Sequence, residues 1–365
     1  MNKKIKILYF VESTGSGVLT FLSNLTNELS NENYKIYIAY GIRTETPSNL
    51  KDYFNNKVHL IYMKNFQRNI SLIKDSMALF EMKRVISQVK PDIIHLNSSK
   101  AGILGRFILK NSNIPVFYTP HGYSFLMADI SNQKKAFYKL LEKAFAFKNI
   151  KTIACSKGEY KITKKLTSNA TYVDNGINLR EFDGIRLNHQ ADKNHLKIAT
   201  MGRISLQKNP TLFNKIAMAF PNIEFLWIGD GELKDEITAS NIAITGWVNN
   251  RTAMQYMADI DIFLLPSLWE GLPMALLEAM YMKKICVVSN VVGNRDVIHN
   301  ENNGYVCDDL TDFIERIKKI TQANEIPLRL IENANREIVT HYNSNIMAKK
   351  YKKIYCQEMK AKYKR

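Results

Sequence analysis

Short, uninterrupted apolar runs recur along this chain, each joined to a segment of helical periodicity. KIKILYFV (4–11), YKIYIAYG (34–41), PDIIHLN (91–97), IPVFYTPHG (114–122) and IKTIACS (150–156) are too continuously apolar to alternate between core and solvent. A strand that is apolar on both faces belongs to a parallel sheet, because crossover helices cover both sides of such a sheet. LTFLSNLTNEL after the first run and SLIKDSMALFEMKRVISQVK before the third carry apolar residues at helical spacing, and Pro91 closes the second. A second series starts near Lys197 with LKIATMGR and continues through NIEFLWIGDGE, ITGWV, DIDIFLLPS and KICVVSN. Between the two series lies VDNGINLREFDGIRLNHQADKNH (173–195), polar and marked by an Asn-Gly turn. With 365 residues, too many for one core, the expectation is α/β: two doubly wound, Rossmann-like domains, residues 1–178 and 197–345, joined by a linker over 179–196. Ligands of such sheets bind beyond the carboxyl ends of the strands, so a cleft between two facing sheets is the place to look.

Charge is unevenly spread. Residues 1–190 hold 28 Lys and Arg against 14 Asp and Glu, residues 191–346 have a net charge of −4, and residues 347–365 hold 8 basic residues and 1 acidic residue. A basic first half and tail point to an anionic partner: a membrane surface, nucleic acid or a phosphate-bearing substrate. The plainer reading is a set of solvated lysines. The four cysteines are scattered, with no C-x-x-C spacing, which argues against a disulfide framework or zinc site and fits a reducing cytosol. MNKKIKILYFVE (1–12) is basic then apolar, but its apolar run has only the length of a strand and Glu12 ends it, so it reads as a buried first strand. No apolar run approaches the roughly 18–20 residues that span a bilayer.

Three loops carry candidate chemistry. In MGRISLQKNP (201–210), Arg203 and Lys208 follow a strand end, and a forked and a point cation together suit a diphosphate. STGSGV (13–18) places Gly15 and Gly17 between a strand and a helix, where backbone N–H groups can meet an anion. It is not a G-x-G-x-x-G fingerprint, since position 20 is Thr, which disfavours a nicotinamide dehydrogenase. In PSLWEGLPMALLEAM (266–280), Glu270 lies in a loop and Glu278 inside a helix that begins near Pro273; two carboxylates can serve acid/base chemistry, a metal or hydroxyl recognition. The amides of Gly271 and Leu272 stand at the helix start, suited to hydroxyl or phosphate oxygens. His121 sits at a strand's carboxyl end before Gly122, whereas His95 and His299 read as structural. Asp259 and Asp261 imitate a metal-binding Asp-x-Asp but fit a helix end and a strand start better.

These motifs in this order resemble the family 4 glycosyltransferases, retaining nucleotide-sugar enzymes of the GT-B fold. The resemblance covers nearly the whole chain. Its most specific element is Glu, seven residues, Glu, read here as Glu270 and Glu278; STGSGV, IHLNSSKAG (94–102), TPHGYSF (119–125), VDNGIN, MGRISLQKNP, WIGDGE, TGWV and NGYV support it. The likeness is greatest to enzymes that build capsule, O-antigen or other surface polysaccharide. It implies that Arg203 and Lys208 bind the donor diphosphate in place of a metal, and that Glu278 accepts from the ribose hydroxyls. Glu270 holds the transferred sugar with the Gly271 and Leu272 amides beside it. By the same resemblance the Gly17 backbone approaches phosphate or acceptor, His121 lies near the reacting centre, and the Val248 backbone faces the base. No cofactor or metal is implied. The donor expected is a UDP-sugar, with UDP-N-acetylhexosamine a candidate. The acceptor expected is a lipid-linked saccharide or oligosaccharide at the cytoplasmic face of the membrane, with no nucleic-acid partner. A terminal helix over 346–365 is expected to cross back to the first domain. The chain departs from the family pattern at Ser16, at Asn209-Pro210 after the lysine, and at Asn178 in NGIN.

KKAFYKLLEKAFAFKNIK (134–151) reads as a basic amphipathic helix that either lies on anionic lipid or packs on its own sheet, and Lys100 is a candidate for an acceptor pyrophosphate. Alternatives to the transferase are a glycoside hydrolase with Glu270 and Glu278 as acid and base, and a nucleotide-sugar epimerase on the same fold. A basic nucleic-acid binder is a third, although no recognised module supports it.

Overall fold

The computed structural model describes residues 4–12, 14–43, 45–67, 70–186, 196–323 and 327–363. Ser13 of the glycine loop and 187–195 of the expected linker lie outside the described residues. The chain divides into two units: Met1–Leu126, Ile130–Gly176 and Ser344–Arg365 in one, Met127–Asp129 and Ile177–Asn343 in the other. The division after Gly176 falls two residues before the boundary expected at 178.

In the first unit β1 (Ile5–Val11), β2 (Tyr34–Tyr40), β3 (Val58–Tyr62), β4 (Ile93–Asn97), β5 (Val116–Thr119), β6 (Ile150–Ala154) and β7 (Ala170–Tyr172) form a single sheet. Its order is β3-β2-β1-β4-β5-β6-β7 and every pairing is parallel. Successive β1 residues feed opposite faces. Ile7, Tyr9 and Val11 enter a core shared with the helices Ser16–Ser30 and Ser344–Tyr363, while Leu8 and Phe10 enter one shared with the helices Leu72–Val89 and Ser99–Leu109. This double covering is why the strands read as unbroken apolar runs.

The terminal helix belongs to this unit through both packing and polar contacts. Met347, Tyr351 and Tyr355 are buried against the sheet. Tyr355 Oη lies 2.6 Å from His95 Nδ1 and 3.2 Å from Tyr9 Oη, and His95 Nε2 lies 2.9 Å from Thr119 Oγ1. Burial, with the neighbouring His121, pushes the His95 pKa down to about 3, so the ring is a neutral, fully partnered strut. Several tail charges are engaged in pairs: Lys350 with Asp174 at 3.5 Å, Glu358 with Lys151 at 2.9 Å, and Lys352 with Glu32. Truncating the Tyr355 ring removes this packing and strands His95 Nδ1. Tyr355→Ala is therefore expected to destabilise the first unit by about 3–5 kcal/mol, read as an earlier far-UV circular dichroism transition in urea.

The second unit holds β8 (Lys197–Met201), β9 (Glu224–Ile228), β10 (Ile242–Ile244), β11 (Ile262–Leu265), β12 (Ile285–Ser289) and β13 (Tyr305–Cys307). Their order is β10-β9-β8-β11-β12-β13, again wholly parallel. Its core gathers Phe213, Phe225 and Trp227 with β11 and β12 residues, the Phe213 ring meeting each of the other two edge to face. Two expectations shift here. ITGWV is not a strand: β10 ends at Ile244 and the rest turns at Gly246, φ +71°. In the first unit, the helix expected over 134–151 runs Asn132–Ala144, because the chain breaks into a turn before β6. Asp259 ends the helix Asn250–Ala258, and Asp261 Oδ2 accepts the Lys197 N–H at 2.9 Å.

Candidate functional site

In each sheet the strand order reverses between two neighbours, β1 and β4 in the first unit and β8 and β11 in the second. Loops leaving such a pair diverge and open a crevice at the carboxyl edge. In the second unit these are the loops that carry Arg203, Lys208 and Glu270.

After β8 the chain enters Gly202 at φ +136°, whose carbonyl accepts from Trp227 Nε1 at 2.9 Å. The end of β9 presses against it so closely that a Cβ on Gly229 would stand 2.3 Å from the Gly202 oxygen. A short turn, Leu206–Lys208, follows and stops at Asn209, φ +55°. Asn209 Oδ1 accepts the Leu212 N–H at 3.2 Å, and Pro210 opens the helix Pro210–Met218. Asparagine tolerates left-handed backbone and also caps, so Asn209 both ends the turn and opens the helix that Pro210 begins.

That turn delivers Lys208 onto Glu270. Lys208 Nζ lies 2.6 Å from Glu270 Oε1, Ser267 Oγ donates to the same oxygen at 2.8 Å, and Gln207 Nε2 reaches Oε2 at 3.3 Å. Gln207 also donates to the Trp269 carbonyl at 3.0 Å and accepts the Leu268 N–H at 2.9 Å, tying the two loops together. Glu270 is 6% exposed. A buried carboxylate in this setting needs such partners, and losing one costs far more than the pair contributes. Arg203 Nε stands 3.8 Å from Glu232, a longer ion pair at the edge of the same loop. Beyond β12, Gly293 (φ +87°) brings the chain against the Gly271 carbonyl, where a Cβ would come within 2.6 Å. Asn294 is fully buried and donates to the Ser289 carbonyl at 3.0 Å, and its Oδ1 has no partner among the described residues.

Glu278 is placed differently. It lies in the helix Met274–Tyr281, which Pro273 starts, and is 5% exposed. No hydrogen bond to its carboxyl occurs among the described residues. Burial, with Glu181 nearby, raises its pKa to about 8, so the ligand-free carboxyl holds a proton at neutral pH. Glu181 is raised as well, by burial, and accepts from Asn250 Nδ2 at 2.7 Å. Leu272 is buried, and Val248 follows the exposed Trp247 on the loop after β10.

Gly17 and His121 belong to the first unit. Gly17 is exposed in the first turn of the helix Ser16–Ser30, and Phe21, one turn on, meets the His121 ring edge-on at 4.5 Å. His121 has φ +56° and its Nε2 lies 3.0 Å from Asn97 Oδ1. Asn97 Nδ2 donates to the His95 carbonyl, so Oδ1 is the acceptor and His121 Nε2 carries the proton. Burial lowers the His121 pKa to about 3, leaving a neutral ring. The buried Glu159 carboxylate accepts the Gly122 and Cys155 N–H groups, both at 2.7 Å, and so holds the His121-Gly122 turn. Lys100 is paired with Asp75 at 2.6 Å.

Sequence reasoning passed over Gln207, Ser267, Asn294 and Glu159. The first two lie inside the quoted loops, and Asn294 follows KICVVSN, a strand end where the carboxyl-edge rule applies. Nothing local marks Glu159, whose role depends on a turn 37 residues away.

Among the described residues no cluster of three His, Cys, Asp or Glu could hold a metal, and no helix is long and apolar enough to cross a membrane.

The Glu278 shift has a thermodynamic sign. A carboxyl raised from 4.5 to about 8 stabilises the fold fully below pH 4.5, and that contribution is lost as pH rises through 8. Glu278→Gln mimics the protonated form. Urea unfolding of wild type and variant is expected to coincide at pH 5, with the variant more stable at pH 9 by a few kcal/mol.

Comparison with known proteins accords with this geometry. The family description "Glycosyltransferase Family 4" matches residues 15–181, and "Glycosyl transferases group 1" matches residues 182–337. The chain is 31% identical over 339 residues, 84% of its length and 86% of the relative's, to an Escherichia coli UDP-Gal:alpha-D-GlcNAc-diphosphoundecaprenol alpha-1,3-galactosyltransferase. It is 24% identical to the Staphylococcus aureus capsular polysaccharide biosynthesis glycosyltransferase CapM, across 97% of both chains. Among solved structures, sucrose-phosphate synthase from Thermosynechococcus elongatus superposes with a TM-score of 0.82 at 15% identity, over 98% of this chain and 100% of that one. Anabaena HepE in complex with UDP and glucose gives 0.78 at 16% identity, over 97% and 100%. The chain is a member of glycosyltransferase family 4, group 1: an enzyme of the GT-B fold that transfers a sugar from a nucleotide-sugar donor.

Proposed function

We propose that this protein is a retaining, metal-independent glycosyltransferase that moves a hexose or N-acetylhexosamine from a UDP-sugar to a lipid-linked saccharide in surface polysaccharide assembly. The observation that carries the reading is the Lys208–Glu270 pair, buried at the strand-order reversal of the second sheet with Ser267 and Gln207 on the same carboxylate. The donor class follows the E. coli relative, named for UDP-Gal, and HepE, named with UDP and glucose. The acceptor class follows that same E. coli relative and a Campylobacter jejuni N,N'-diacetylbacillosaminyl-diphospho-undecaprenol alpha-1,3-N-acetylgalactosaminyltransferase, 32% identical over 109 residues.

In this reading Arg203 and Lys208 hold the donor diphosphate and stabilise the charge that develops as the leaving group departs, the task a metal performs elsewhere. Lys208 already stands on Glu270, so the phosphate cation and the sugar-binding carboxylate form one electrostatic unit. Glu270 and the Gly271 and Leu272 amides take the sugar hydroxyls, Val248 offers its backbone to the base, and Glu278 accepts from the ribose. The Gly17 backbone approaches phosphate or acceptor. Neutral His121, with Nε2–H committed to Asn97, presents Nδ1 as an acceptor near the reacting centre. The acceptor oxygen bonds to the anomeric carbon on the face the diphosphate leaves, the carbon–oxygen bond to phosphate breaks, and the acceptor proton passes to a diphosphate oxygen. A hydrolase reading fits less well, because Glu270 faces donors rather than a free cavity. The basic helix Asn132–Ala144, with Phe137 and Leu140 exposed, supports a place on the anionic cytoplasmic face of the membrane.

UDP-, GDP- and TDP-sugars offered with and without chelator test the reading through nucleoside diphosphate release. Release is expected from UDP-sugars, undiminished by chelator, with Arg203→Ala and Glu278→Ala each slower by about 100-fold or more. Wild-type rates in both variants overturn the site assignment.

A further inference from the structure

A third loop reaches the Lys208–Glu270 pair besides the two that carry its members. Glu270 stands three residues after Ser267, whose Oγ donates to Glu270 Oε1 at 2.8 Å. Ser267 is buried, and its carbonyl accepts from Ser289 Oγ, at the end of β12, at 2.5 Å. Asn294 Nδ2 donates in turn to Ser289, to its carbonyl at 3.0 Å and to its Oγ at 3.2 Å. A carbonyl only accepts, so the amide nitrogen of Asn294 must face Ser289, and the donor directions along this chain of contacts are fixed. The amide takes a lone pair of the Ser289 hydroxyl and leaves its single proton for Ser267. Ser267 is thus held at both polar ends, its carbonyl by Ser289 and its hydroxyl proton by Glu270. One residue before Asn294, Gly293 lies so close that a Cβ there would stand 3.1 Å from Glu270 Cβ. Hydrogen bonds and backbone contact both run from the loop after β12 to the same carboxylate.

Lys208 has two claims on it in the proposed reading: Glu270 at 2.6 Å before a ligand arrives, and the donor diphosphate afterwards. When the ammonium turns to phosphate, Glu270 loses its shortest contact, and Gln207 at 3.3 Å is a weak substitute. Among the described residues the Ser267 hydroxyl is the short donor that stays. A carboxylate on a flexible side chain grips a ligand hydroxyl well only where such partners lock its rotamer. We propose that Ser289 and Asn294 are positioning residues for Glu270: they hold its donor Ser267 in place while Lys208 serves the diphosphate, and so set how the donor sugar is gripped. This deepens the donor reading above, and rests on it for the role of Glu270. Both side chains are neutral and buried, so they fix geometry without altering the charge of the site. The fixed donor directions separate geometry from bulk. Asn294→Asp exchanges one amide nitrogen for oxygen at nearly constant volume. The new oxygen accepts the Ser289 proton, and the Ser267 carbonyl loses its donor. Ser289→Ala removes the same link from its other side.

The test uses the full chain and has one arm with nucleotides and one without. UDP, UDP-galactose, UDP-glucose and UDP-N-acetylglucosamine are titrated by calorimetry into wild type, Ser289→Ala and Asn294→Asp, with a thermal melt of each as the folding control. The measured quantity is the affinity for the best-bound UDP-sugar divided by that for UDP. This ratio is expected to fall at least fivefold in both variants, while the affinity for UDP itself stays within twofold of wild type. Asn290→Ala, on the same loop but directed to the exposed Asp308, is expected to leave ratio and melt unaltered. An affinity for UDP that falls in step with that for the UDP-sugar indicates general loosening of the unit and overturns the proposal, as does an unaltered ratio. In the second arm, urea unfolding without ligand compares Ser289→Ala, Glu270→Gln and the double variant. Ser289→Ala is expected to lower the urea midpoint by less in the Glu270→Gln background than in wild type, because part of its effect passes through Glu270. Additive shifts overturn the proposal even where the nucleotides bind. Non-additive shifts in a protein that binds none of the four nucleotides remove the donor reading and leave the link between Ser289 and Glu270 standing.

Discussion

A parallel sheet sends every loop that leaves a strand's carboxyl end to the same edge, and the rest of this molecule follows from that constraint. Strand order reverses between β8 and β11, and the loops that leave these neighbouring strand ends each need hydrogen-bond partners. Here they find each other. Gln207 exchanges backbone and side-chain contacts with Leu268 and Trp269, and Lys208 closes on Glu270. Close backbone approach at Gly202 and Gly229 brings the β8 and β9 ends together, and Gly293 does the same for the loop after β12. The crevice is thus built from backbone first, and the charged side chains are set into it.

The two glutamates in that unit show how position within one motif sets chemistry. Glu270 receives an ammonium, a hydroxyl and an amide, so its charge is supported before any ligand arrives. Glu278, eight residues on and equally buried, receives none of these and keeps its proton up to about pH 8. A ligand that brings hydroxyl donors to Glu278 supplies what burial withheld, and its binding is therefore coupled to release of that proton. A ligand that brings phosphate oxygens to Lys208 competes with Glu270 for the same cation. In the proposed reading, a nucleotide sugar redistributes charge among side chains already in place.

Much of this was legible in the chain. Continuous apolar runs marked most of the parallel strands, and the spacing of Glu270 and Glu278 placed one in a loop and one in a helix, as the fold has them. Short edge strands such as β7 and β13 escaped because three residues carry too little pattern. The helix over 134–151 was drawn too long because its periodicity continues past the turn that ends it at Ala144. Lys100 was read as available, but Asp75, 25 residues earlier, pairs with it. Glu159, which holds the His121 turn, could not be read because the contact is tertiary and the residue type unremarkable. Asn209 is the instructive middle case: a departure from the family pattern in sequence, whose left-handed backbone ends one turn and whose side-chain oxygen caps the next helix.

Net charge divides the labour in a way the local sites alone do not reveal. Residues 191–346, which carry the proposed diphosphate site, have a net charge of −4. In the proposed reading a diphosphate there is held by two cations at short range against an unfavourable background, which favours precise placement over general attraction. The excess positive charge sits instead in residues 1–190 and in the tail, most of which belong to the first unit. Part of it is spent on structure, in the pairs of Lys350, Lys352 and Lys151.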